Sequence, residues 1–114
     1  MKRFGLMCLL AMALASKATA QTNSIFFEDG NDLFGKCQSN NPADLVYCIA
    51  YITGVADAIG GNSINGFRAC IPLRATRAQV RDVVVGWLQS NPENRHHGAK
   101  GLIAAALEEA FPCR

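Results

Sequence analysis

Between Asp44 and Ile59 the chain reads DLVYCIAYITGVADAI, and past Asp44 only Thr53 and Asp57 bring polar side chains into an otherwise apolar run. A helix that is apolar on every side is either a membrane span or the central helix of a small core. Sixteen residues, bounded by Pro42 and Gly60-Gly61, fall short of the roughly 20 that a bilayer requires. The pattern therefore predicts a buried central helix that other helices cover. Asn41 caps it, with Pro42 at the first helical position and Asp44 in the first turn. Gly54 reads as a notch where a neighbour approaches closely, and Asp57 as a buried polar tie to Arg68, Arg74 or Arg81.

The rest of the pattern is helical too. Asn31 to Cys37 predicts a short helix with Asn31 as its cap and Leu33, Phe34 and Cys37 on one side, after an extended lead-in from Gln21 to Glu28. Thr76 to Ser90 opens on a capping box, Thr76 with Gln79, and places Val80, Val83, Val84, Trp87 and Leu88 on one stripe. Asn91-Pro92-Glu93 predicts the start of a last helix running to about Ala110, with Ala99, Leu102, Ile103, Ala106, Leu107 and Ala110 inward. Gly61 to Pro72 reads as a loop. No alternating strand pattern occurs. The expected fold is all-α: a small disulfide-stapled bundle of about four helices around a buried central helix, in one domain over 21–114.

Composition changes this picture at the N-terminus. Lys2 and Arg3, the apolar run Leu6 to Leu14 and Ala18-Thr19-Ala20 make the pattern of a secretory signal, predicted to span 1–20. Cleavage would remove three of the eleven Lys/Arg, so eight face nine Asp/Glu and the net charge drops from +2 to about −1. That leaves no argument for nucleic acid or for an anionic membrane surface as a partner.

Cys8 leaves with the signal. Cys37, Cys48, Cys70 and Cys113 remain, and four cysteines in a small exported chain read as two disulfides. Three pairings are open. The tight turn at Ser90-Asn91 makes the last two helices antiparallel, which brings Cys113 towards Cys70, while Cys37 and Cys48 flank one turn. Cys37–Cys48 with Cys70–Cys113 is the favoured set.

A search for chemistry finds little. His96 and His97 are adjacent, so on a helix they diverge by about 100° and do not share a metal. Asp57 could serve as a base, but no nucleophile or second acid accompanies it. No metalloprotease, phosphate-loop or dinucleotide motif is present. The expectation is a protein that is not an enzyme and holds no cofactor or metal.

Taken in order, Leu33-Phe34-Gly35-Lys36-Cys37, Tyr47 to Asp57, Cys70-Ile71-Pro72, Gln79 to Val85, Asn91-Pro92-Glu93, His96 and Ala105 to Cys113 resemble the Rap/Tai immunity proteins. These guard bacteria against type VI secretion amidase toxins. The resemblance covers nearly the whole mature chain, and the ordered set with four cysteines is what makes it specific. It implies a helical, disulfide-bonded periplasmic protein, often a homodimer. Such a protein binds a secreted peptidoglycan amidase and blocks its cleft with a loop or helix end, without chemistry of its own. The motif residues are mostly core and bridge, so they do not name the contact surface.

Two segments with polar content on a rigid scaffold are the candidate contact surfaces. The helix turn Ser90 to His97 offers Asn91, Glu93, Asn94, Arg95 and His97. The loop Gly61 to Arg68 offers Asn62, Ser63 and Asn65. Other readings are a small periplasmic stress chaperone, disfavoured by a low charge content of 18%, and an enzyme or ligand binder using Asp57 and His96.

Overall fold

The computed structural model describes residues 26–114, so the expected signal segment lies outside the described residues. The helices are α1 (Gly30–Cys37), α2 (Pro42–Ile59), α3 (Arg77–Ser90) and α4 (Ala99–Ala110), with a 3-10 turn at Pro92–Asn94. No strand forms among the described residues, only two isolated bridges. The all-α expectation holds.

Two of the expected caps form, at α2 and α3. Asn41 Oδ1 accepts from Ala43 N at 2.9 Å. Thr76 and Gln79 exchange their two bonds at 3.1 and 2.8 Å, closing the capping box. At α1 the cap is Asp29 and not Asn31: Asp29 accepts from Asp32 N at 2.8 Å, and the helix begins at Gly30, which puts Asn31 inside its first turn.

The central helix is not the expected one. Ala99, Gly101, Leu102, Ile103, Ala104, Ala106 and Leu107 of α4 are all buried. In α2 only Cys48, Ile52 and Ile59 are. Both helices touch the other three, but the small residues of α4 let its neighbours close around it. The bulkier surface of α2 is covered on one side only. Val46 is 65% exposed, and Leu45 and Tyr47 are exposed as well. Gly54 and Asp57 accordingly change meaning. A Cβ on Gly54 would meet nothing within 4 Å, so it is no notch within this chain. Asp57 is exposed and forms no ion pair among the described residues, so it is no buried tie.

The second correction concerns the start of the last helix. Pro92–Asn94 makes one 3-10 turn, and α4 begins only at Ala99. The carbonyls that a continuous helix would use internally are taken by α1. Gly30 N donates to His97 O at 2.9 Å and Asn31 N to Arg95 O at 2.8 Å, while Ala99 N donates to Glu28 O at 2.9 Å. The free N–H groups at a helix start need partners, and here the chain between two helices supplies them. The approach requires Gly30: a Cβ there would strike Leu102 Cδ1 and come within 2.7 Å of Arg95 O. Backbone cannot retreat as a side-chain end can. Gly30→Ala should lower the unfolding free energy by about 2–3 kcal/mol, the upper range for overpacking. Urea unfolding measures this, and an unchanged midpoint would contradict the packing.

Glu28 anchors the chain just before α1, while the rest of the expected lead-in, up to residue 25, lies outside the described residues. It is 5% exposed and accepts from Lys36 Nζ at 2.8 and 3.0 Å and from Tyr47 Oη at 2.7 Å. The ammonium also lies 4.1 Å over the Tyr47 ring. The hydrogen bond to Glu28 raises the pKa of Lys36 above 10.5 and that of Tyr47 above 10.0. Both shifts act in the same direction. The folded state holds these protons more tightly than the unfolded chain, so the associated stability is fully present below about pH 10 and is lost as pH rises through the folded values. Glu28→Gln should flatten the loss of stability above about pH 10. Urea midpoints across that range test this, and equal slopes for both proteins would refute it.

Both bridges of the favoured set are formed, Cys37–Cys48 and Cys70–Cys113. The first ties α1 to α2. The second ties the loop before α3 to the end of α4, reinforced by Cys70 N donating to Phe111 O at 2.8 Å.

Candidate partner-binding site

The loop after α2 is built around a tight turn. Ile64 and Phe67 exchange backbone bonds at 3.0 and 2.9 Å. Between them Asn65 and Gly66 both take positive φ, 51° and 83°. Asn-Gly suits the type I′ arrangement because glycine meets no steric penalty there and asparagine little. The loop is tied at both ends. Asn62 Nδ2 donates to Ala58 O and Gly60 O at the end of α2. Arg68 N donates to Glu108 Oε2 at 2.7 Å.

The turn after α3 is equally committed. Asn91 Nδ2 donates to Trp87 O at 2.8 Å, and Asn91 O accepts from Asn94 N. Arg95 Nε donates to Leu88 O at 2.7 Å while its guanidinium lies 4.1 Å over the Phe34 ring. Arg95 and Asn91 thus hold the turn in shape. Both are half-buried, whereas Glu93, His96 and His97 are exposed.

These two segments face a common hollow. They border one concavity of about 620 Å³ over the start of α4. Phe26, Phe67, Trp87 and Leu102 give it apolar walls, and Asn65, Asn94, His96, His97 and Lys100 give it polar ones. Phe26 packs on Gly98, where a Cβ would lie 3.0 Å from its ring. The Asn65 amide sits on Gly101, 2.5 Å from where a Cβ would be. The two imidazoles lie 4.0 Å apart, centre to centre. No carboxylate lines the concavity. Glu109 instead accepts from the outer atom of the indole, Trp87 Nε1, at 2.9 Å.

Of the residues expected from the sequence, Asn65, Asn94 and His97 therefore lie together. Asn62, Asn91 and Arg95 support the two segments. Ser63 and Glu93 are exposed and do not line the concavity. Sequence reasoning left out Phe26, Phe67, Trp87 and Lys100. Asn65-Gly66 was the available signal for a sharp turn, but nothing local places it against Lys100. Asp57 and His96 line different concavities and do not form a shared site. No group of three His, Cys, Asp or Glu is placed to hold a metal among the described residues.

Residues 29–113 match the model of a family described as Rap1a immunity proteins. No curated protein and no solved structure matches the chain.

Proposed function

The chain belongs to the Rap1a immunity proteins, inhibitors rather than enzymes, and on that premise we propose that it binds and blocks a peptidoglycan amidase delivered by type VI secretion. It acts in the periplasm after export by the signal at 1–20. Two disulfides in so small a domain support an oxidising compartment. The observation that carries the reading is the convergence of two internally braced segments, 61–68 and 90–97, on one face. A surface held by its own hydrogen bonds loses little entropy on binding, which is what tight inhibition requires. Asn65, Asn94 and His97 are the contact residues, with Ser63 and Glu93 at the periphery. Asn62, Asn91 and Arg95 hold the surface in place. The amidase is recognised as a folded protein and is not processed. Pulling the chain from periplasmic extract should bring a type VI amidase with it in a complex that survives gel filtration. A bound protein that is no cell-wall hydrolase would contradict the choice of target.

The exposed face of α2 supports a homodimer. Val46, Ala50, Gly54 and Ala58 recur every four residues, and all are exposed. The helix holds no Lys or Arg. Side chains this small let the i±4 ridges of two copies interlock closely. Gly54→Arg meets nothing within the chain, so it should convert a dimer to a folded monomer in sedimentation equilibrium. A wild type that sediments as a monomer at tens of micromolar would remove this assembly.

A further inference from the structure

The concavity between the two braced segments has a chemical bias that membership of an immunity family does not assign. Its polar wall carries one ammonium, Lys100, and side-chain N–H donors on Asn65, Asn94, His96 and His97, with no carboxylate among its lining residues. Its apolar wall is largely aromatic, from Phe26, Phe67 and Trp87. Two carboxylates bond to lining residues without being lining residues themselves. Glu109 accepts from Trp87 Nε1 at 2.9 Å, and Glu93 accepts from Asn94 Nδ2 at 3.5 Å. Residues 21–114 carry eight Lys/Arg against nine Asp/Glu, so a wall lined by an ammonium and no carboxylate departs from their average. Donors converging beside an apolar wall are the features of a pocket that fixes one orientation of a bound group.

We propose that this groove receives an acidic–apolar segment of the toxin, with an Asp or Glu carboxylate against Lys100 and the imidazoles and a neighbouring Leu or aromatic side chain against Trp87 and Phe67. The partner's identity as a toxin rests on the immunity reading; the chemistry of the groove does not. The chain thus receives a projecting element of its partner as well as presenting its own loops. Lys100 is exposed at the first turn of α4, so its replacement leaves the core intact.

The test is NMR titration of the mature, oxidised chain with two probes, acetyl-Asp-Leu-Phe-amide and its Asn counterpart. The acidic peptide should shift the Trp87 indole N–H and the Asn65 and Asn94 side-chain amides. It should bind about five-fold more tightly than the Asn peptide, the upper range for an exposed ion pair, and Lys100→Glu should abolish that preference. Equal shifts from both peptides, or shifts centred elsewhere, would overturn the proposal. The same variant separates the two readings in toxin binding. If the wild type binds an amidase and Lys100→Glu binds it equally, the groove assignment fails and immunity stands. If the peptide preference is seen and no hydrolase binds, the groove stands and the target fails.

Discussion

Ile103→Ala should lower the unfolding free energy by about 2–5 kcal/mol, while Val46→Ala changes it by less than about 0.5 kcal/mol. Both remove methyl groups from helices in the same small domain, so the contrast isolates burial. Ile103 is fully buried in α4 and Val46 is mostly exposed on α2. A lost contact in a closed core leaves a cavity that its neighbours fill only in part, whereas an exposed valine leaves none. The comparison belongs at concentrations low enough to keep the chain monomeric, because a dimer through α2 would add a second role for Val46. Urea unfolding followed by the single Trp gives both values. Similar losses at the two sites would mean that α2 and α4 share the core equally.

Removing the Cys70–Cys113 bridge should be nearly as severe. The bridged residues are 43 apart and the other pair 11. Restriction of the unfolded chain then contributes about 4 kcal/mol for the longer loop and about 3 kcal/mol for the shorter. Against a total of roughly 5–15 kcal/mol for a domain, either loss is large. Cys70 and Cys113 are both exposed, so a double replacement by Ser isolates the loop effect. Cys48 is 1% exposed, and a Ser there would add the burial of a hydroxyl. The longer loop contains all of α3 and α4, and with them Trp87, Asn94, His96, His97 and Lys100. Its loss should therefore weaken toxin binding as well as folding. Thermal unfolding of the double Ser variant tests the first part, and a melting temperature within about 2 °C of wild type would contradict it.

The helices, two of their caps and both bridges were legible because each is set by residues close in sequence or by simple helix geometry. Thr76 and Gln79 are three apart, and Cys37 and Cys48 flank one turn. What was not legible depends on neighbours distant in the chain. Periodicity reports how apolar a helix is, not how many helices surround it. The run from Leu45 to Ile59 outscores α4 in bulk, yet α4, with Gly101, Ala104 and Ala106, is the one that others can enclose. The start of the last helix failed for a related reason. Asn91-Pro92-Glu93 does begin a helical turn, but Gly30 and Asn31, some sixty residues earlier, take the carbonyls of His97 and Arg95. The binding face was half legible. Asn65 and Asn94 stood out as polar residues on rigid turns, while Trp87 and Lys100 looked like one core and one surface position of ordinary helices.

The proposed function requires stoichiometric blockade of a cell-wall amidase. The direct measurement is to titrate the oxidised chain, residues 21–114, into the amidase that co-purifies with it and follow peptide-bond hydrolysis in isolated peptidoglycan. Activity should fall linearly to its floor at equimolar protein, and Lys100→Glu should shift that floor to higher ratios. Full hydrolysis at a several-fold excess of the wild-type chain would contradict it.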